Sequence, residues 1–309
     1  MGECLLVRRG GKATLNGISV KTPPTKIEYF EGEAFDFSGM VISANLSGTL
    51  VDIMSGYTCT PTVMGANDTT VTISYTVNGK TATTTQVMQM KPYKPVLAEN
   101  SWATIADACA KGLADSLWQV GDQKTFEIDG KNYIAKIVDF EHYSLATTDA
   151  KYDDANYNGG TNKNALTFLV FTSMGTSAMH SSNSPSQWKV TTMCTQVMPQ
   201  KIALLPEELQ AALRTVTIRS ATSSSSAASD DKLFLPGMYE IQEDAANSHN
   251  YQSRFSYYVA GNSFGLPSGG VWTRDKDGSS KWIALDGLSS FISYFPSSDE
   301  YKICPVFCL

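Results

Sequence analysis

At 309 residues the chain is longer than one hydrophobic core ordinarily supports, so two domains are expected. Charged residues make up 17% of it against a usual share of about 25%, with Ser, Thr, Asn and Gly filling the difference, which predicts a polar and largely uncharged surface. The formal net charge is −6 and Arg8 with Arg9 is the one tight basic pair, which argues against nucleic acid as a partner.

The opening stretch MGECLLVRRGGKA has three apolar residues, Leu5, Leu6 and Val7, and then Arg8 and Arg9. A secretory signal needs an apolar stretch of about 7 to 15 residues, so none is expected here. No apolar run is long enough to span a bilayer, so membrane insertion is not expected either. Residues 1–17 have little core of their own and read as an N-terminal arm that orders against another surface.

Residues 18–91 are written in strands and turns: ISV, KIEYF, MVISANL, and TVTISYTV followed by Asn78-Gly79 and TATTTQV. Asn-Gly between two alternating runs predicts a type I′ hairpin, because both residues tolerate positive φ. About seven short strands without a helical period predict a small β-sandwich. MKPYKPVLAEN, with Pro92 and Pro95, predicts an extended linker over 92–99. Asn100 or Ser101 then caps a helix carrying Trp102, Ile105, Cys109 and Leu113 at helical spacing, which opens a second domain over 100–309.

In that domain, WQVGDQKTFEIDGKNYIAKIVDFEHY predicts two strands around an Asp129-Gly130 turn. NALTFLVFTSM is a continuous apolar run suited to the middle of a sheet. LPEELQAALRTVTI predicts a helix with Pro206 in its first turn and Leu209, Leu213 and Val216 on one face. SATSSSSAASDD predicts a surface loop, and the last seventy residues or so predict short strands with glycine-rich loops, giving an α+β domain.

The first of these domains resembles the bacterial immunoglobulin-like modules of surface and phage proteins, on Pro24, Lys26, Tyr29, Gly32, Glu33, Asp36, Gly39 and Tyr75. The second, through SWATI, GDQKTF, DFEHY, DKLFL, the Trp272-x-Arg274 step and ICPVFCL, is similar to a domain of unknown function from phage tail and gut-bacterial surface proteins. Cys304 stands where that family usually has Arg, which puts one internal ion pair or ligand contact in doubt. Its tail resembles in turn the C-type-lectin-like fold of formylglycine-generating enzymes and phage receptor-binding proteins. That resemblance implies a central final strand and a ligand face made by the loops before it. The arm CLLVRRGGKA is similar to the start of tail-fibre-like phage proteins and implies an assembly role for Leu5, Leu6, Val7, Arg8 and Arg9.

Catalysis needs a convergent set of acids, bases or nucleophiles. The chain has three histidines, His142, His180 and His249, and alternation along a strand puts Glu141 on the face opposite His142, so His142 is read as structural. Six cysteines show no zinc spacing; were the tail a strand, Cys304 and Cys308 would stand about 13 Å apart, too far to bridge. DKDGSSKWIALD fails as a calcium loop, with Ser280 where Gly is required and Asp286 where Glu is. YDDANYNGGTN, 152–162, has oxygens for a loose calcium loop and equally the composition of a long turn, so calcium there stays open. No metal site and no cofactor are expected.

Tyr, Trp, Ser, Gly and Asn are the residues binding loops favour. Tyr251, Tyr257, Trp272, Trp282 and Tyr294, with Arg274, are therefore the candidate ligand-binding residues, the alternative for Trp272 and Trp282 being a place in the core on adjacent strands. The expected whole is mainly β with α+β: an immunoglobulin-like β-sandwich followed by a C-type-lectin-like α+β domain. The expected function is non-enzymatic, a structural protein of a bacteriophage virion, tail- or fibre-associated. Its expected partners are other virion proteins, a host cell-surface glycan or protein, and further copies of itself. The alternatives are a capsid decoration or head-fibre protein, and an enzyme on the lectin-like scaffold.

Overall fold

The computed structural model describes residues 12–65, 67–181, 185–222, 225–242, 252–277, 281–286 and 292–309. It is mainly β, with several sheets, and divides into two compact units, Met1–Lys94 and Pro95–Leu309.

The first unit contains β1 (Leu15–Thr22), β2 (Glu28–Phe30), β3 (Val41–Leu46), β4 (Thr49–Ile53), β5 (Thr58–Thr60), β6 (Thr70–Val77), β7 (Lys80–Val87) and β8 (Gln89–Lys91). They form antiparallel sheets ordered β1-β3-β4 and β5-β6-β7, and a parallel pair β2-β8. The β6–β7 turn is made by Asn78 and Gly79, with φ of 50° and 79°. Along β6, Val71 and Ile73 are buried and Thr70 and Thr72 are exposed, the alternation of a strand with one face on a core. Val71 packs with Tyr29, Phe35, Met64 and Met88, and Ile73 with Met40 and Ile42.

The motif residues of this unit build one locked corner. The Tyr29 hydroxyl lies 3.1 Å from the carbonyl oxygens of Lys26 and Asp36 and accepts the Asp36 N–H at 3.1 Å. Glu33 Oε2 accepts from Phe30 N at 2.9 Å and Lys26 Nζ at 3.0 Å, and Asp36 Oδ1 accepts from Ser38 N at 2.9 Å. Gly39 has a φ of 80°, and a Cβ there would stand 2.6 Å from Thr25 Oγ1, so only glycine fits.

The second unit opens with α1 (Trp102–Ala110), whose first turn is capped by Ser101 Oγ accepting from Thr104 N at 3.0 Å, and α2 (Ala114–Leu117). β9 (Gln123–Ile128), β10 (Lys131–Phe140), β11 (Ser144–Leu145), β12 (Leu166–Val170) and β13 (Thr176–Ala178) follow. After α3 (Met198–Leu204) and α4 (Glu207–Ala212) come β14 (Val216–Ala221), β15 (Ser226–Asp231), β16 (Leu233–Phe234), α5 (Met238–Ile241) and α6 (Ser256–Val259). β17 (Val271–Asp277), β18 (Lys281–Leu285), β19 (Ile292–Phe295), β20 (Glu300–Lys302) and β21 (Val306–Cys308) close the chain. The sheets are ordered β16-β21-β12-β10-β9, β11-β14-β15 and β13-β20-β17-β18-β19.

β12, the apolar run of NALTFLVFTSM, is buried at every residue, between β21 and β10. The C-terminal strand β21 is itself interior, between β16 and β12. Phe307 stacks on Phe168 at 5.1 Å between ring centroids, and the Trp102 ring from α1 meets both edge-on at 5.6 and 5.9 Å.

Three sequence expectations change. Residues 226–231, expected to lie in a surface loop, are strand β15, paired with β14 and tied by Thr217 Oγ1 donating to Asp230 Oδ1 at 2.7 Å. Serine-rich text lacks an apolar period, and the partner strand supplies the order instead. Residues 95–99, expected in the linker, belong to the second unit: Leu97 is buried, and Lys124 Nζ donates to the carbonyls of Ala98 and Asn100 at 3.2 and 2.6 Å. The helix after Pro206 stops at Ala212, and Val216 is buried from β14 instead of from a helix face.

Candidate functional site

The chemically richest constellation is a buried ionic network in the second unit. β10 ends at Phe140, and Glu141 turns the chain with a φ of 48°, so strand alternation does not extend to His142. Asp139, on the last turn of strand, lies with Oδ2 2.6 Å from His142 Nδ1, and its Oδ1 accepts from Ser256 Oγ of α6 at 2.7 Å. Across the ring, His142 Nε2 faces Glu240 Oε1 of α5 at 3.6 Å, an ion-pair distance beyond hydrogen-bond reach.

Glu240 is the centre. Its carboxylate takes Arg274 Nη1 at 2.7 Å and Nη2 at 2.5 Å, the Tyr143 hydroxyl at 2.7 Å and Gly237 N at 2.8 Å. Arg274, from β17, also donates to the carbonyls of Arg219 at 3.0 Å and Leu235 at 2.9 Å. Its neighbour Asp275 accepts from Ala221 N at 2.8 Å and Met238 N at 2.7 Å. A Cβ at Gly237 would stand 3.1 Å from the guanidinium and 3.2 Å from the Asp275 carboxylate, so glycine lets the backbone close over the pair.

The Glu240 and Arg274 side chains are 0% and 1% exposed. Burial disfavours each charge, and the partners reverse that. Burial alone would raise the Glu240 pKa, but Arg274 and His142 bring it down to about 2. Burial opposes the His142 cation, yet Asp139 and Glu240 hold its pKa above the ordinary value. Asp139 is held below its ordinary value, because His142 and Ser256 outweigh burial. For Asp275 burial wins and its pKa is raised despite Arg274. Two carboxylates thus alternate with two cations in the interior, which makes the cluster affordable.

This arrangement holds segments together. Ser256 Oγ bonds Asp139 and not His142, so the contact between a nucleophile and its base is not made. His142 and Glu240 are 1% and 0% exposed at the side chain. The network ties β10, β14, α5, α6 and β17 to one another. Sequence reasoning read His142 as structural but missed its partners Asp139 and Glu240, since the motif DFEH offered Glu141 as the nearer acid. Glu141 instead accepts from Asn158 at 2.8 Å. The one signal in the sequence was the Trp272-x-Arg274 step, which sets a guanidinium two residues from a large apolar ring.

The expected ligand-binding residues are distributed differently from a loop cluster. Trp272 and Trp282 are fully buried, Arg274 lies in the network, and Tyr257 is buried against Phe171 at 5.6 Å and Tyr258 at 5.1 Å. Trp272 Nε1 donates to Ser177 O at 2.9 Å. These four are core residues: Trp272 and Trp282 take the core alternative on adjacent strands, while Tyr257 and Arg274 correct the expectation of a ligand-facing set, because they fall on a helix and a strand packed inward. Tyr294 lies in β19 with its backbone opposite Ile283, and Tyr251 lies outside the described residues. Leu5, Leu6, Val7, Arg8 and Arg9 lie outside them too.

Cys304 and Cys308 are buried free thiols; burial pushes the Cys304 thiol up to about 12 and raises Cys308 as well, so neither is poised as a nucleophile. In the 152–162 turn, Asp153 Oδ1 accepts from Asn162 and Asn162 Oδ1 from Asp153 N, at 3.0 and 2.8 Å, so these oxygens close the turn on itself. An accessible groove of 740 Å³ lies between Pro95–Ala98 and Asp115–Gln123, with the exposed side chains of Asp115, Gln119 and Gln123 on its rim and Trp118 at its base. Among the described residues no helix is long and apolar enough to cross a membrane. In comparison with known proteins, the chain matches no family model and no curated protein.

Proposed function

We propose that this chain is a structural protein of a bacteriophage particle, an immunoglobulin-like module followed by a C-type-lectin-like domain, associated with the tail or its fibres and contacting the host surface. The observation that carries the reading is the place of the final strand. β21 lies inside a five-stranded sheet, between β16 and β12, as the lectin-like resemblance implies. The separate β-unit before it agrees with an immunoglobulin-like module, and its corner uses the motif residues Lys26, Tyr29, Glu33, Asp36 and Gly39.

Scaffolding and binding suit the chemistry better than turnover does. The charged constellation is interior and its charges are paired within the chain, while the groove beside Asp115, Gln119 and Gln123 offers accessible hydrogen-bonding groups. Weak sites of this kind gain from repetition on a symmetric particle through effective concentration. Labelling purified particles with an antibody to the chain, viewed by electron microscopy, is expected to mark the tail. Purified full-length protein is expected to bind host cell walls. Label on the capsid with no wall binding would replace adhesion by decoration, and absence from particles would end the reading.

A further inference from the structure

Every charged side chain of the buried network has its counter-charge, and among the described residues one buried lysine outside it has none. Lys276 in β17 is 5% exposed, and its Nζ donates to the Pro185 carbonyl at 3.0 Å. Among the described residues no carboxylate pairs with it. Directly opposite in the antiparallel register stands Trp282 of β18, 0% exposed, whose indole Nε1 is buried without a hydrogen-bond partner. Residues opposed in this way share a face of the sheet, with Cβ atoms about 4.5 to 5.5 Å apart.

An unpartnered indole N–H and an ammonium held by a single carbonyl, on one face of the sheet, suit an acceptor that carries charge. A buried ammonium with a single carbonyl is poorly compensated, and an unmet buried N–H carries its own desolvation cost. Burial alone lowers the Lys276 pKa, with no carboxylate acting to restore it. In the register Asp277 and Lys281 form the next and last pair of the hairpin, so the two donors sit one step from its end.

We propose that Lys276 Nζ and Trp282 Nε1 form a binding site for a small oxyanion, a carboxylate or phosphate group, with the Pro185 carbonyl orienting the ammonium. Among the described residues the site presents these donors and no paired carboxylate, which favours an acceptor-only group over a neutral alcohol or amide. The inference does not depend on adhesion or on a virion location.

The test is an NMR titration of the full-length ¹⁵N-labelled protein with sodium acetate and, separately, sodium phosphate, against sodium chloride at matched ionic strength. The Trp282 indole cross-peak is identified with Trp282→Phe. It is expected to shift saturably with acetate or phosphate, at a concentration at least tenfold below any effect of chloride. Which anion acts distinguishes a planar carboxylate from a tetrahedral phosphate. Lys276→Met is expected to weaken the response at least tenfold while the Trp272 indole stays put. An indole signal unmoved by both anions, or moved equally by chloride, means water alone fills the site and overturns the proposal. Should Lys276→Met fail to fold, the Lys276 ¹³Cε titration in the native chain decides: the anion must raise its pKa, and an unchanged value overturns the site.

Discussion

Arg274 and Glu240 stand 34 positions apart and meet inside the second unit through two hydrogen bonds, at 2.7 and 2.5 Å, with both side chains sealed from solvent. Such a pair stabilises less than its geometry suggests, because both ions lose water, but breaking one side leaves the other charge stranded. Arg274→Met or Glu240→Gln is therefore expected to destabilise the second unit by about 3 to 5 kcal/mol. The double replacement Arg274→Met with Glu240→Leu is expected to cost less than the sum of the single ones. Urea unfolding followed by tryptophan fluorescence measures this, and strictly additive losses would show that the two side chains are not coupled.

The same cluster sets a pH window. The His142 pKa is raised above its ordinary 6.5, so its contribution is complete below 6.5 and is lost as pH rises through the folded value. Glu240 is lowered from 4.5 to about 2 and Asp139 is lowered too, so their contribution is complete above the ordinary carboxylate range and fades as pH falls towards 2. Stability from these groups is expected to peak between about pH 4.5 and 6.5. In His142→Gln the alkaline decline should flatten. A decline that keeps its slope would place it on another group.

Removing Ile303–Leu309 takes out β21 from between β16 and β12, leaving two strands without their partner and the Phe168–Trp102 contact without Phe307. The truncated second unit is expected not to fold while the first stays intact. Limited proteolysis should then yield a resistant fragment ending near Lys94. Protection of the second unit's fragments at the level of the full chain would contradict this.

Because Trp272 and Trp282 are buried, Trp272→Ala or Trp282→Ala is expected to destabilise the second unit by about 3 to 5 kcal/mol. Any loss of wall binding should then follow loss of folded protein. Binding lost at unchanged melting temperature would return these residues to a ligand role.

In the first unit, Tyr29→Phe removes the hydroxyl that accepts the Asp36 N–H, which is expected to cost about 1 to 3 kcal/mol. Denaturant midpoints of the two chains measure it, and equal midpoints would mean that water replaces the contact.

Much of the local structure was legible. Asn78-Gly79 and Asp129-Gly130 mark their hairpins because few residue pairs tolerate those angles, and the Asn78, Gly79, Asp129 and Gly130 φ values are all positive. The run LTFLV read as a strand for the middle of a sheet, and β12 is buried at every residue. SAASDD was illegible as β15, since nothing in its own composition favours a strand and its order comes from β14. The aromatic residues stayed ambiguous for a related reason. Tyr and Trp suit binding loops and cores equally, and only their neighbours distinguish the two.

The sequence by itself determined the β-rich character, the turns and the Ser101 helix start, because those follow from backbone preferences and apolar spacing within a few residues. Only the tertiary structure decided that Asp139, and not Glu141, faces His142, that Glu240 meets Arg274, and that Lys276 is buried opposite an unpartnered indole. Those facts depend on which distant segments share an interior, where the cost of an unpaired charge is set by the surroundings and not by the residue that carries it.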